Sequence, residues 1–159
     1  MIAGKRIFNS IFASSWNDGE GAFRYGGRWN SRGRRVLYVS DSLALATLEI
    51  LVNLGVEDIL DDETIMTDYS FAEVGFSKDM ILSVDDIALL PENWRVYPSL
   101  DEVRKIGDDW IASNTSAVLQ VPTAILPIEF NYVINLDHKD IQKIKFGNPE
   151  RFVFDERLR

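Results

Sequence analysis

Residues Gly19 to Glu49 read GEGAFRYGGRWNSRGRRVLYVSDSLALATLE, and the chain's best chemistry sits in them. Glu49 is a lone carboxylate in an otherwise apolar helical stretch. An acid in such a place is expensive unless something partners it. An Arg and a Tyr, brought in by the preceding loop and strand, are suitable partners. The three together would make a site for an anionic nucleotide with a reactive sugar. Arg28 sits in Gly26-Gly27-Arg28-Trp29-Asn30. Paired glycines let backbone approach a ligand closely, and an arginine beside them can fork onto phosphate oxygens. The competing role for Arg28 is stacking on Trp29 or pairing a carboxylate. Tyr38 lies in a β-rich segment, where its hydroxyl serves either the site or a core hydrogen bond. Ser116 stands just before the apolar run Ala117 to Val121.

Other chemistries fit poorly. The glycines lack dinucleotide-fingerprint spacing, and their loop precedes a strand instead of joining a strand to a helix. There is one histidine, His138, and no cysteine. Catalytic triads, thiol chemistry and histidine-rich metal sites therefore have little to build on, no calcium-loop spacing is present, and no metal is expected. The net charge of -8 argues against broad binding to nucleic acid or to anionic lipid. Charge is nevertheless uneven: Arg24, Arg28, Arg32, Arg34 and Arg35 crowd together, and EDILDDE (57–63) is acidic. A rival reading makes the arginines a nucleic-acid surface, with Trp16, Phe23 and Trp29 as stacking platforms.

The elements that must position these residues follow from pattern. At 159 residues the chain reads as one domain, 1–159, able to bury a core. The opening segment is too short and broken for a signal peptide or a membrane span. Lys5 to Phe12 reads as a strand or short helix, and Val36 to Ser40 as a buried strand. A helix capped by Asp41 or Ser42 runs to Gly55, and 56–68 reads as a polar connection. Tyr69 to Phe76 and Met80 to Ser83 read as strands, with a helical turn at Asp85 to Leu89. Ser99 to Ser113 reads as a helix with a Ser99/Glu102 capping box. Strands follow at Ala117 to Val121, around Ile125 to Leu126 and Glu129 to Ile134, at Ile141 to Phe146 and at Phe152 to Phe154. Strands and helices mix without regular alternation, which gives α+β: a mixed sheet core with flanking helices.

Four blocks in order carry a resemblance over nearly the whole chain: GEGAFRYGGRWNSRG, VLYVSDSLALATLEILV, SAVLQVPTAILPIEFNYVINLDH and FVFDERL. The chain resembles the RES-domain family, toxins of bacterial toxin–antitoxin pairs. The resemblance implies a fold like the NAD-dependent ADP-ribosyltransferase toxins, with NAD as substrate. It places the family Arg, Tyr, Glu and Ser on Arg28, Tyr38, Glu49 and Ser116, and it adds Gly27, Trp29 and Asn30 as binding positions. It departs from the family at Thr123, where serine is expected, at Asn53 and at Leu136. Cleavage of the nicotinamide–ribose bond is implied, with water or inorganic phosphate favoured as acceptor; protein mono-ADP-ribosylation is the alternative. An Xre-type helix-turn-helix antitoxin is the implied partner, with DNA met only through it. A cytoplasmic location is implied, no membrane is involved, and a homodimer stays open.

Overall fold

The computed structural model of the protein describes residues 1–61 and 68–158, with side chains given up to 54 and from 68 onward. Eight strands form one mixed sheet: β1 (Ile2–Asn9), β2 (Val36–Ser40), β3 (Tyr69–Phe76), β4 (Ile81–Ser83), β5 (Val118–Pro122), β6 (Phe130–Asn135), β7 (Lys145–Phe146) and β8 (Glu150–Phe152). Their order is β4-β5-β6-β2-β1-β3-β7, with β8 also on β3. β4 and β5 run parallel; the other pairs are antiparallel. The helices are α1 (Glu20–Tyr25), α2 (Leu43–Asp61) and α3 (Asp101–Ser113). This is the α+β class expected from the sequence.

Strand alternation sorts side chains to two faces. On one, Leu37, Val39, Val118, Tyr132 and Ile134 join Phe8, Trp16 and Phe76. On the other, Val36, Leu119, Val121 and Val133 pack with Trp29 and with Val103, Trp110 and Ile111 of α3. α2 sets Ala46 against Ile7, Tyr69 and Phe154. The centre of the sheet is buried on both faces, and so β2 and β5 read as near-continuous apolar runs.

One seam is open. β1 and β2 pair only at Lys5 opposite Ser40. Beside this contact the Arg6 guanidinium reaches across and donates to the Tyr38 carbonyl at 3.0 Å.

Four local expectations are corrected. The glycine-rich stretch is not all loop, since Glu20–Tyr25 is helical. α2 passes through Gly55 and reaches Asp61; one glycine costs a helix only about 1 kcal/mol. The rest of the expected connection, 62–67, lies outside the described residues. The Ser99/Glu102 capping box does not form. α3 starts after Leu100 with no side-chain cap, because the Ser99 Oγ accepts from Arg104 at 2.8 Å. Ile141–Lys143 is a 3-10 turn, not strand.

Candidate active site

The glycine loop is built around Asn30, which is fully buried. Its Nδ2 donates to the carbonyls of Ala22 and Ser31. Its Oδ1 accepts from the Tyr38 hydroxyl at 2.5 Å, and that hydroxyl accepts the Trp29 backbone N–H at 3.1 Å. Burial pushes the Tyr38 phenol well above its ordinary value. The hydroxyl stays protonated and is used up in holding the loop, leaving the ring to the site. Gly27 is glycine because the Tyr38 oxygen would stand 2.7 Å from any Cβ there. Trp29 is 2 % exposed and lies against Trp94. Trp29 and Asn30 thus form the inner wall of the loop.

Arg28 emerges from this wall. Its Nη1 donates to the carbonyls of Trp94 and Val96, both at 2.9 Å. Burial lowers the pKa of the guanidinium, while the charge of Glu49 pushes it back up. Among the described residues Arg28 makes no ion pair within 4.0 Å. Arg95, from the same segment as Trp94, donates to the Ala124 carbonyl at 2.9 Å. Residues 94–96 therefore bridge the glycine loop and the β5–β6 turn.

Glu49 enters from α2. Its Oε1 accepts from the Thr123 hydroxyl at 2.6 Å and from the Asn131 amide at 2.7 Å. Among the described residues no donor reaches Oε2. Thr123 is 1 % exposed, and its oxygen accepts the Ile125 N–H at 3.2 Å, which turns its proton toward Glu49. Arg6, Arg28, Tyr38, Glu49, Thr123 and Asn131 all line one cleft of about 1700 Å³. Burial lowers the Arg6 pKa, with Asp18 opposing, and the Arg6 Nε is buried without a hydrogen-bond partner among the described residues.

Gly27, Arg28, Trp29, Asn30, Tyr38 and Glu49 thus meet around this cleft. Ser116 does not join them. It precedes β5, and Thr123 follows β5; at ~3.3 Å per residue the two hydroxyls stand roughly 20 Å apart. The Ser116 Oγ accepts from the Trp110 indole at 2.8 Å and donates to the Val118 carbonyl. It fastens α3 to the sheet. Close by, the buried His138 ring meets the Asn114 carbonyl through Nε2, and its Nδ1 accepts the Asp140 N–H. Thr123, Asn131 and Arg6 are the cleft residues that sequence reasoning missed. Thr123 had a signal, a hydroxyl where the resemblance expects serine.

The arginine cluster is partly tied down, with Arg32 and Arg34 left exposed. Arg24 and Arg35 both pair with Glu20, and Arg35 also covers the Phe23 ring at 4.6 Å. Trp16 is buried along with Trp29 and neither offers a face to a base, which leaves the nucleic-acid reading only Phe23 of its three platforms. Among the described residues no group of three or more His, Asp or Glu could hold a metal ion, and no helix is long and apolar enough to cross a membrane.

Known proteins resemble this chain in sequence and in fold. "Toxin Res" of Yersinia enterocolitica is 33% identical over 162 residues, covering 100% of both chains. The "Prs ADP-ribosylating toxin" of a Sphingobium species is 32% identical over 143 residues, covering 88% of this chain and 84% of that protein. A chain of the M. tuberculosis MbcT-MbcA toxin-antitoxin complex superposes with a TM-score of 0.73 at 16% identity, covering 95% of this chain and 84% of that one. The two chains share one fold, with the mixed sheet and flanking helices expected from the sequence. The RES domain profile matches residues 4–155, a span that takes in every wall of the cleft, and the chain belongs to the RES domain family.

Proposed function

We propose that this protein is a toxin that consumes NAD by breaking the nicotinamide–ribose bond and is held in check by a cognate antitoxin. The observation that carries the reading is Glu49. Its carboxylate is tied at one oxygen and open at the other, in a cleft that Arg6 and Arg28 also line. When the C1′–N bond breaks, both electrons leave with nicotinamide, which departs neutral. The ribose is left as an oxocarbenium-like cation, as in glycoside cleavage. The open oxygen of Glu49 faces that charge and the ribose hydroxyls. A fixed anion at a developing cation is the strongest kind of help a site supplies. Arg6 brings a cationic side chain to the cleft wall for the pyrophosphate, and Arg28 has nitrogens beyond the one tied to Trp94 and Val96. The Tyr38 ring supplies a flat apolar face to the nicotinamide or ribose. The hydroxyl role that the resemblance gives to Ser116 falls instead to Thr123.

Water or inorganic phosphate is the favoured acceptor, since no basic arm suited to docking a large acceptor stands out in this acidic chain. A second reading, transfer of ADP-ribose to a protein, is favoured by the name of the Sphingobium relative. An Xre-type antitoxin is the proposed partner; the fold's appearance in a toxin-antitoxin complex supports an antitoxin partner, and the Xre type comes from the family resemblance alone. The proposed location is the cytoplasm, where NAD is.

Incubating the protein with NAD, with and without phosphate, and weighing the products tests the reaction. ADP-ribose in both mixtures means hydrolysis, and a phosphate ester formed only with phosphate means phosphorolysis. NAD that is stable until lysate is added, followed by a protein gaining ADP-ribose mass, means the second reading. NAD stable under all conditions overturns the proposal.

Two hydroxyl variants test the site. Thr123→Ala should cut NAD turnover at least tenfold, and Thr123→Ser should restore most of it. Ser116→Ala should leave turnover within about twofold while lowering stability by about 1–3 kcal/mol, because the Trp110 indole loses its acceptor. Nicotinamide release and thermal denaturation measure the two effects.

A further inference from the structure

We infer that Asn131, oriented by Ser40, is a positioning residue for Glu49: it fixes the carboxylate so that Oε2 faces the cleft. The inference rests on the NAD reading and deepens it. Ser40 and Asn131 stand directly opposite each other on β2 and β6. The Ser40 Oγ, 4 % exposed, donates to the Asn131 Oδ1 at 2.8 Å. With its oxygen so occupied, the amide presents Nδ2 to Glu49 Oε1 at 2.7 Å. The opposite orientation would set a carbonyl oxygen against a carboxylate oxygen, two acceptors with no proton between them. The acceptor-only carboxylate thus admits a single amide orientation, and the Ser40 hydroxyl holds that orientation by donating to Oδ1.

The consequence is rotational. α2 delivers Glu49 on a flexible side chain, and a single donor, Thr123, would leave the carboxylate free to pivot about that bond. A second donor on the same oxygen, anchored to the sheet, removes the pivot. Oε1 then belongs to the protein and Oε2 to the substrate. Misplacing a reacting group by about 1 Å can cost ~10²-fold in rate, so the second donor has a kinetic role without touching the substrate.

The test compares two substitutions that a packing role and a positioning role rank in opposite order. Asn131→Asp keeps the shape, removes the N–H and sets a second acceptor against Oε1. Asn131→Ala removes shape and donor together. Positioning predicts that kcat falls roughly 10–100-fold in Ala and further in Asp, with KM for NAD within about threefold in both. A packing role predicts the reverse order, Ala worse than Asp, and that result overturns the inference. Ser40→Ala should lose about tenfold in kcat; unchanged kcat overturns the part assigned to Ser40. The Asn131 side-chain amide resonances of 15N-labelled protein give a readout free of catalysis and of variant folding at position 131. In the wild type one proton should lie well downfield, bonded to a carboxylate, and Glu49→Ala should return it toward its ordinary position. A resonance that does not move overturns the contact. If the wild type consumes no NAD, the NAD reading falls, and the amide resonance still decides whether Asn131 holds Glu49.

Discussion

Glu49→Gln should lose roughly 10²–10³ in NAD turnover while NAD affinity changes little. Gln has the shape of Glu, and its carbonyl oxygen can still accept from Thr123 and Asn131, which both use one oxygen of the native carboxylate. Its NH₂ then occupies the place of Oε2. A neutral donor stands where the native site has a charged acceptor, at the point where the ribose becomes cationic. Binding relies on the arginines and the walls of the cleft, which the substitution leaves alone. The loss therefore belongs to kcat. Nicotinamide release under saturating NAD, with calorimetric titration of NAD into the variant, separates the two. Turnover close to wild type would remove Glu49 from the mechanism.

Gly107→Ala should be the most damaging small change outside the cleft. Gly107 lies in α3 with its Cα against Trp29. A Cβ there would stand 1.6 Å from the Trp29 carbonyl oxygen and 2.6 Å from its carbon. Both are backbone atoms and cannot swing aside. In an exposed helix the same change gains about 1 kcal/mol. Here α3 must lift or the loop must shift, at a cost of about 1–3 kcal/mol or more. Trp29 precedes the buried Asn30 and follows Arg28, so the shift reaches the cleft and KM for NAD should rise. Gly21→Ala in the exposed helix α1 is the control, because nothing lies within 4 Å of its added Cβ; it should melt at or slightly above the wild-type temperature and keep its activity. A Gly107→Ala protein that melts at or above the wild-type temperature would show that α3 does not sit on Trp29 in this way.

Glu49 was legible in the sequence because a charge in an apolar helix needs a reason that near neighbours do not supply. The strands of the sheet core were legible from apolar β-branched runs. The partners of Glu49 were not. Thr123 is 74 residues away and Asn131 is 82, and a Thr just past one strand or an Asn within another gives no local sign of which helix residue it meets. Ser116 and Thr123 show the limit well. Both are hydroxyls flanking the same strand, and only the direction of β5 relative to α2 decides which one meets the acid. Arg6 was read as part of an ordinary first element, since the open seam that makes room for its side chain exists only once β1 and β2 are paired at Lys5 and Ser40. The Ser99 capping box failed for a similar reason: Arg104, five residues on, competed for the same hydroxyl.

The placing of β7 and β8 bears on how the chain is made. Both lie along the outer edge of β3, with β8 opposite Tyr69–Phe71 and β7 opposite Val74–Gly75. Until residues 145–152 emerge from the ribosome, the aromatic strand YSFAEVGF (69–76) has an unpaired edge, the kind of surface that recruits other chains. Two short strands then share the work of covering it, and neither leaves a long flat ladder of its own. The outer edge of β3 is thus covered only once a much later stretch of the chain has been made.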